Sequence, residues 1–168
     1  MKNWFAVLVC LGLLIAPSFA GTINVSGRAG IYTAPGAAGT SMMYGLAADY
    51  GITPNLSVRG AVETTTYTVN NVQTTFTPVS VDLIYSQTVA EYLHPYAGAG
   101  VSYNTWNTGG VTNNTSGAQA EVGVRFSLGG FSAGIEYRYM WPDLNHTNIN
   151  SSSYNAYATG SFSQSISF

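Results

Sequence analysis

From about residue 22 onward, apolar or aromatic residues alternate with small or polar residues at a period of two, which is typical of β-strands. Stretches rich in Gly, Asn, Pro, Ser and Thr separate the alternating segments. None of the segments follows the 3.6-residue period of an amphipathic helix. The pattern predicts eight strands, over residues 22–34, 41–52, 56–67, 75–87, 93–105, 118–128, 131–141 and 153–168.

The predicted connections alternate in length along the chain. Thr53-Pro54-Asn55 and Gly129-Gly130 are tight turns, and residues 88–92 form a turn of medium length. The remaining connections are longer and rich in Asn, Thr, Ser and Gly, over residues 35–40, 68–74, 106–117 and 142–152. Short turns at one end and long loops at the other are typical of outer-membrane barrels. We therefore expect an all-β fold, an eight-stranded antiparallel up-and-down transmembrane β-barrel.

The two faces of the predicted strands differ sharply in charge. One face is apolar and aromatic, and none of the nine charged residues within strands lies on it. All nine lie on the other face: Arg28, Asp49, Arg59, Glu63, Asp82, Glu121, Arg125, Glu136 and Arg138. An Arg or Lys facing lipid at the bilayer midplane costs about 2–4 kcal/mol, so this separation predicts an apolar exterior and a polar lumen. Eight aromatic residues near predicted strand ends fit an interfacial girdle: Tyr44, Tyr50, Tyr85, Tyr103, Tyr137, Tyr139, Trp141 and Tyr154.

A soluble sandwich or a lipocalin-like barrel could show the same alternation with its apolar face inside. Composition argues against that alternative. Only 7% of residues are charged, against about 25% in an average soluble domain, and mean hydropathy is just +0.12. Nine strand charges make a poor water-facing exterior, and the apolar core would hold many Tyr hydroxyls. A net charge of −2 provides no basic patch for nucleic acid, and 168 residues predict one domain.

The first twenty residues resemble a secretory signal peptide. A short basic start precedes an apolar segment over residues 4–16, and Pro17 and small residues follow. We predict cleavage between Ala20 and Gly21, which leaves residues 21–168 as the barrel domain. A membrane anchor is the alternative, but the apolar segment is short for a span. Cys10 is the single cysteine and leaves with the signal.

Turn positions predict which interior charges face each other. With Ile52 and Leu56 flanking the first tight turn, Asp49 lies opposite Arg59. With Leu128 and Phe131 flanking Gly129-Gly130, Glu121 lies opposite Arg138, and Arg125 is diagonal to Glu136. Charges in a narrow lumen must be paired, so we interpret this cluster as a structural plug. A gated ion path is the alternative function of the same residues.

Three segments carry a family resemblance. His94-Pro-Tyr-Ala-Gly-Ala-Gly-Val-Ser-Tyr103 and Gly134-Ile-Glu-Tyr-Arg-Tyr-Met-Trp141 resemble strands of the small OmpA/OmpX-like barrel superfamily. The alternating end, with Ile166 and Phe168, is similar to the signal read by the barrel-assembly machinery. The resemblance implies a free-standing barrel in the bacterial outer membrane, delivered by periplasmic chaperones. It implies little about function.

Candidate chemistry in the sequence is sparse. Gly98-Ala-Gly100 lacks the third glycine and the helix of a dinucleotide loop, so we expect no cofactor. His94 and His146 lie in distant predicted positions, which argues against a metal site. Asp143 and His146 fit no defensible catalytic spacing.

By elimination, we expect a non-enzymatic barrel that displays Asn/Thr-rich extracellular loops for surface interaction or membrane integrity. The expected partners are outer-membrane lipid, lipopolysaccharide and an unidentified surface ligand. A narrow pathway for ions or small solutes is the first alternative. A lipid A-modifying enzyme is the second.

Overall fold

The computed structural model describes residues 21–34, 39–69, 71–145 and 153–166, which form eight β-strands. Their order along the chain is β1 (Gly21–Thr33), β2 (Thr40–Thr53), β3 (Leu56–Val69), β4 (Val72–Ser86), β5 (Leu93–Thr108), β6 (Val111–Leu128), β7 (Phe131–Trp141) and β8 (Ser153–Ile166). The predicted signal peptide, including Ala20, lies outside these residues, as do His146 and Phe168. Among the described residues there is no helix long and apolar enough to cross a membrane.

Each strand pairs antiparallel with the next, and β1 pairs with β8, so the sheet closes into a barrel. This confirms the predicted fold class. Closure removes the exposed edge strands that would otherwise pair with other chains. The tight turns produce the expected register, with Asp49 opposite Arg59 and Glu121 opposite Arg138. Near the first turn a register shift between Gly51 and Thr53 takes up one residue, and the turn itself is Pro54-Asn55.

Two of the four long loops were predicted wrongly. Strand β6 begins at Val111, not at residue 118, and β5 continues to Thr108, so residues 106–117 form most of a hairpin. Gly109 and Gly110 both have positive φ and make its two-residue turn, a conformation that glycine adopts without steric cost. Residues 68–69 likewise pair with residues 72–73 at a hairpin tip, and Asn71 has φ 62°. Their Asn and Thr content suggested loops, but here these residues pair across strands.

The predicted assignment of the two faces is confirmed. Apolar side chains on the outer face are exposed, including Leu46 at 61%, Val122 at 56% and Ile135 at 66%, while eight of the nine strand charges are buried. The ninth, Arg125, is partly buried. An exposed apolar exterior around a buried charged interior is the reverse of a water-soluble domain and is typical of a lipid-embedded barrel.

The outer face also distinguishes the two ends of the barrel. At the end with the Pro54-Asn55 and Gly129-Gly130 turns, apolar side chains such as Leu128 and Phe131 continue to the strand ends. At the other end, the β3–β4 and β5–β6 hairpins continue past the last apolar positions, Val62 and Val79, as Thr- and Asn-rich strands. Outer-membrane barrels have short periplasmic turns and longer extracellular segments, so these hairpins lie on the extracellular side.

Candidate functional site in the barrel lumen

Arg138 lies at the centre of the interior charge cluster and is fully buried. Its three guanidinium nitrogens contact three carboxylates: Nη1 is 2.8 Å from Glu63 Oε2, Nε is 3.1 Å from Glu121 Oε2, and Nη2 is 3.0 Å from Glu121 Oε2 and 3.2 Å from Glu136 Oε1. Glu121 is its neighbour across the β6–β7 pair, whereas Glu63 comes from β3 on another side of the barrel. The cluster therefore joins strands that share no backbone hydrogen bonds.

Arg28 and Arg59 extend the same cluster. Arg28 pairs with Glu63 at 2.9 Å and also with Glu136. Arg59 donates through Nε to Asp49 Oδ1 at 2.6 Å and through Nη1 to Glu121 and Glu136 at 2.9 and 2.6 Å. Asp49, Glu63, Glu121 and Glu136 are each matched by more than one guanidinium group, the condition under which buried charges are tolerated.

Arg125 lies diagonal to Glu136, as predicted, but its ion pair is with a different carboxylate. Its described ion pair is with Asp49, where Nη2 lies 2.9 Å from Oδ2 across the lumen. Its side chain is 22% exposed, against 4% or less for the other members in ion pairs. Counting residues from a turn predicts which residues are neighbours within one hairpin. A long arginine side chain, however, can cross a narrow barrel to a strand that is far away in sequence.

Asp82 is buried beside this cluster with neutral partners. Ser80 Oγ donates to its Oδ2 at 2.9 Å, and Gln119 Nε2 donates to its Oδ1 at 2.6 Å. Within the described residues, no Arg lies in ion-pair distance of Asp82. Gly100, its neighbour on β5, leaves room for this carboxylate, because a Cβ there would overlap Asp82 Oδ1. Asp82 was predicted to belong to the ion-pair cluster. It lies at the border of that cluster, where its described partners are the neutral side chains of Ser80 and Gln119.

Two tyrosines complete the cluster and were missed by the sequence analysis. Tyr96 donates to Glu136 Oε2 at 2.8 Å, and Tyr157 donates to Glu63 Oε2 at 3.2 Å. Guanidinium groups lie over both rings, Arg28 at 4.6 Å from the centroid of Tyr157 and Arg59 at 5.3 Å from that of Tyr96. The signal was present in the sequence, because each tyrosine lies at the parity opposite to the apolar face of its strand.

An apolar cap covers the extracellular side of the charge cluster. Phe76 stacks on Trp106 with 4.1 Å between ring centroids and on Tyr32 with 5.2 Å, and Tyr67 packs on Tyr32. Tyr32, Phe76 and two methionines are fully buried, and the members of this apolar cap are Tyr32, Ala34, Met43, Tyr67, Phe76, Trp106, Met140 and Tyr157. The prediction of an entirely polar lumen is therefore wrong for its outer third. An interior aromatic stack adds hydrophobic burial where no charge pairing is available.

A polar vestibule of about 490 Å³ lies at the periplasmic end of the lumen. Its inner wall is formed by Asp49, Tyr96 and Arg125, which separate it from the rest of the charge cluster. His94 lines it and its Nδ1 lies 3.1 Å from Thr88 Oγ1. Among the described residues, no group of three or more His, Cys, Asp or Glu side chains is placed to hold a metal ion. The pairing of Asp143 with His146 falls outside the described residues.

The remaining predicted sites concern the chain ends. Ile166 pairs with Gly21 through the β1–β8 ladder, so the proposed assembly end closes the barrel. The side chain of Ile166 and the whole of Phe168 lie outside the described part of the structure.

Comparison with known proteins supports this architecture. Residues 6–162 match a family model described as the outer membrane protein beta-barrel domain. Neisserial surface protein A has a TM-score of 0.70 at 16% identity, with 86% of this chain and 97% of that chain covered. The N-terminal barrel of Pseudomonas aeruginosa OprF gives 0.60 at 18% identity, covering 85% and 97%. Yersinia pestis Ail, in complex with the heparin analogue sucrose octasulfate, gives 0.59 at 13% identity, covering 86% and 97%. No curated protein matches the chain.

Proposed function

Because the chain belongs to the outer membrane protein β-barrel family and lies in the bacterial outer membrane, we propose that it is a closed, non-enzymatic barrel whose extracellular surface carries no Lys or Arg. That surface serves contact with neighbouring molecules or the integrity of the membrane. The barrel is the scaffold that holds the β3–β4 and β5–β6 hairpins at the cell surface. These hairpins make the proposed contacts.

The filled lumen is the observation that carries this proposal. An eight-stranded barrel has an interior just wide enough to be filled by side chains. Here the charge cluster around Arg138 fills the middle, and the apolar cap around Phe76 fills the outer third. A hydrated ion would have to break several ion pairs and then cross stacked aromatic rings. Both steps oppose conduction.

The chemistry of the outer surface supports the same proposal. Residues 64–81 and 95–120, which include the extracellular ends of both hairpins, contain no charged side chain. All four arginines of residues 21–168 lie inside the barrel, and the sequence has no lysine after Lys2. Ail was crystallised with a highly sulfated ligand. We propose no such anionic ligand here, because the exterior has no Lys or Arg to balance its charge.

Complementation of a deletion strain tests this proposal. One variant replaces residues 68–73 and residues 107–112 each with Asn-Gly, a turn that preserves strand register and keeps Tyr67 of the apolar cap while removing the hairpin ends. The matched control is Arg125→Met, which changes the vestibule and leaves the outer surface intact. We expect wild type and Arg125→Met to restore resistance to large hydrophobic antibiotics, and the shortened hairpins to fail. Restoration by the shortened hairpins together with failure of Arg125→Met would instead favour transport.

The vestibule favours a transport pathway as the second candidate. It brings water from the periplasm to Arg125 and Asp49, so the unfilled part of the lumen ends at charged groups. Ions would need a rearrangement of the apolar cap to go further. A lipid A-modifying activity is the third candidate, and unchanged lipid A mass spectra with and without the protein would exclude it.

A further inference from the structure

The outer face of the two hairpins carries hydroxyl and amide side chains in ordered rows. Thr64 Oγ1 lies 3.3 Å from Thr77 Oγ1, Thr77 pairs with Thr105, and Thr105 donates to Asn114 Oδ1 at 3.0 Å. The next row outward continues from β3 to β6 in the same way. The hydroxyl array, as we call both rows together, comprises Thr64, Thr77, Thr105 and Asn114 in the first row and Thr66, Thr75, Asn107 and Thr112 in the second.

The hydroxyl array begins directly above the lipid-facing belt. The row beneath it runs through Leu46, Val62, Val79 and Tyr103, which are neighbours in the sheet register and are apolar or aromatic. Outward-facing residues therefore change from lipid-compatible to hydrogen-bonding within one row. The array faces sideways from the barrel wall, at the level where the headgroups of the outer leaflet begin, and not upward from the barrel mouth.

The array retains unused hydrogen-bonding capacity. A hydroxyl has one donor and two acceptor lone pairs, so a Thr–Thr contact such as Thr66–Thr75, at 3.2 Å, leaves a second hydroxyl hydrogen and several lone pairs. Five members of the array are exposed and the other three are half-buried. With strands about 4.8 Å apart, the four strands make a convex polar surface about 15 Å wide along its arc. Donors and acceptors mixed on one surface match the hydroxyl groups of sugars, which also donate and accept.

Aromatic rings border the same surface. Tyr44 is 53% exposed and lies opposite Thr64 in the β2–β3 register, and Tyr103 is 38% exposed in the row below Thr105. Met42, Tyr44 and Thr64 to Thr66 line a shallow cleft at this border. An exposed ring beside hydrogen-bonding groups suits a sugar, which has apolar C–H faces as well as hydroxyls.

We propose that the hydroxyl array binds the neutral sugars of the surrounding lipopolysaccharide through uncharged hydrogen bonds, with Tyr44 and Tyr103 packing against sugar faces. This names the partner of the proposed extracellular surface and so rests on the proposed function. The phosphates of the same glycolipid are not part of the site, because Lys and Arg are absent from this exterior. Sugars of the same leaflet are favoured over a soluble glycan because the array faces sideways, just above the lipid.

The test measures heat unfolding of the folded protein, by gel mobility, in bilayers of lipopolysaccharide with its core sugars or of lipid A alone. A ligand that binds only the folded state raises the unfolding midpoint. We expect the core sugars to raise the wild-type midpoint by about 2–4 °C, a shift typical of a modest gain for a chain of this size. Both lipids have the same acyl chains, so their difference isolates the core region, and chelation of divalent cations then separates its charged groups from its neutral sugars.

The decisive variant is Thr64→Val/Thr77→Val/Thr105→Val, which removes three hydroxyls while keeping side-chain shape and strand preference. Its matched control, Thr64→Ser/Thr77→Ser/Thr105→Ser, keeps the hydroxyls. We expect the core-sugar shift to vanish in the Val variant, to persist in the Ser variant, and to survive chelation of divalent cations. If the Val triple fails to insert, Thr105→Val and Asn114→Leu are measured singly, and each should reduce the shift.

Several results would overturn the proposal. They are the absence of a core-sugar shift in wild type, an equal shift in the Val and Ser variants, and loss of the shift on chelation, which would assign binding to phosphates. Self-association of the wild type in lipid A alone, abolished by the Val variant, would assign the array to a second copy of the chain. If the shift is absent while shortened hairpins still fail in complementation, the proposed function stands and this inference falls.

Discussion

Arg125 reaches across the lumen to Asp49, with Nη2 2.9 Å from the carboxylate Oδ2, although the two residues are 76 positions apart in the chain. Asp49 also accepts from Arg59 Nε at 2.6 Å, so this one carboxylate links β6 to the β2–β3 pair. The contact forms the inner wall of the vestibule and separates the vestibule from the central cluster.

Arg125→Met should lower the free energy of unfolding by about 1.5–3 kcal/mol, the typical contribution of a hydrogen bond to a charged group. We expect the lower end of that range, because the side chain is 22% exposed and Asp49 keeps Arg59. Urea titration in lipid vesicles measures the change. A loss as large as that of Arg138→Met would show that the vestibule wall is as important as the cluster centre.

Arg138→Met should be more costly, at about 3–5 kcal/mol, because removal of a buried partner leaves charges uncompensated. Adding Glu121→Gln should recover part of this loss, since one stranded carboxylate is neutralised. Recovery is incomplete because Glu63 and Glu136 also lose a donor. The same urea titrations measure the double variant. A loss of unfolding free energy equal to the sum of the losses in the two single variants would contradict the pairing.

A charge on the lipid-facing belt tests the assignment of the two faces. Val81→Arg should destabilise the inserted barrel by about 2–4 kcal/mol if the position is at midplane. The matched control is Gln73→Arg, which places the same side chain on the outer face of the same strand but beyond the belt, where about 0–1 kcal/mol is expected. Equal losses for the two variants would mean that the belt is placed incorrectly.

Deletion of Phe168 tests the proposed partnership with the barrel-assembly machinery. We expect less folded, heat-modifiable protein in the outer membrane of cells, because Ile166 ends the strand that closes the barrel and Phe168 completes the proposed signal. Refolding of the purified deletion variant into lipid vesicles should be little changed. Equal amounts of folded protein in cells for wild type and the deletion variant would contradict a recognition role.

Local periodicity carries most of the fold. Alternation at a period of two determined the faces, and tight turns determined the register that pairs Asp49 with Arg59. The outer part of the β5–β6 hairpin was missed because Asn and Gly have weak strand preference, and cross-strand pairing and the Gly109-Gly110 turn make this segment part of the two strands.

The lumen was harder to predict for a different reason. Parity shows that Arg125 faces inward, but the choice between Glu136 and Asp49 depends on barrel diameter and strand tilt, which no local pattern contains. Tyr96 and Phe76 both have the inward parity, yet Tyr96 joins the charge cluster and Phe76 joins the apolar cap. Which group each residue joins depends on its height along the barrel axis. Such contacts arise when the barrel closes, and the sequence shows only which residues face inward.

The central claim is that the charge cluster and the apolar cap close the lumen, and planar-bilayer recording of the folded wild-type barrel tests it most directly. The account predicts no stepwise single-channel currents, because ions meet the cluster around Arg138 and then the stacked rings of Tyr32, Phe76 and Trp106. Reproducible wild-type current steps whose size changes in Arg125→Met would contradict it and would place the function inside the barrel.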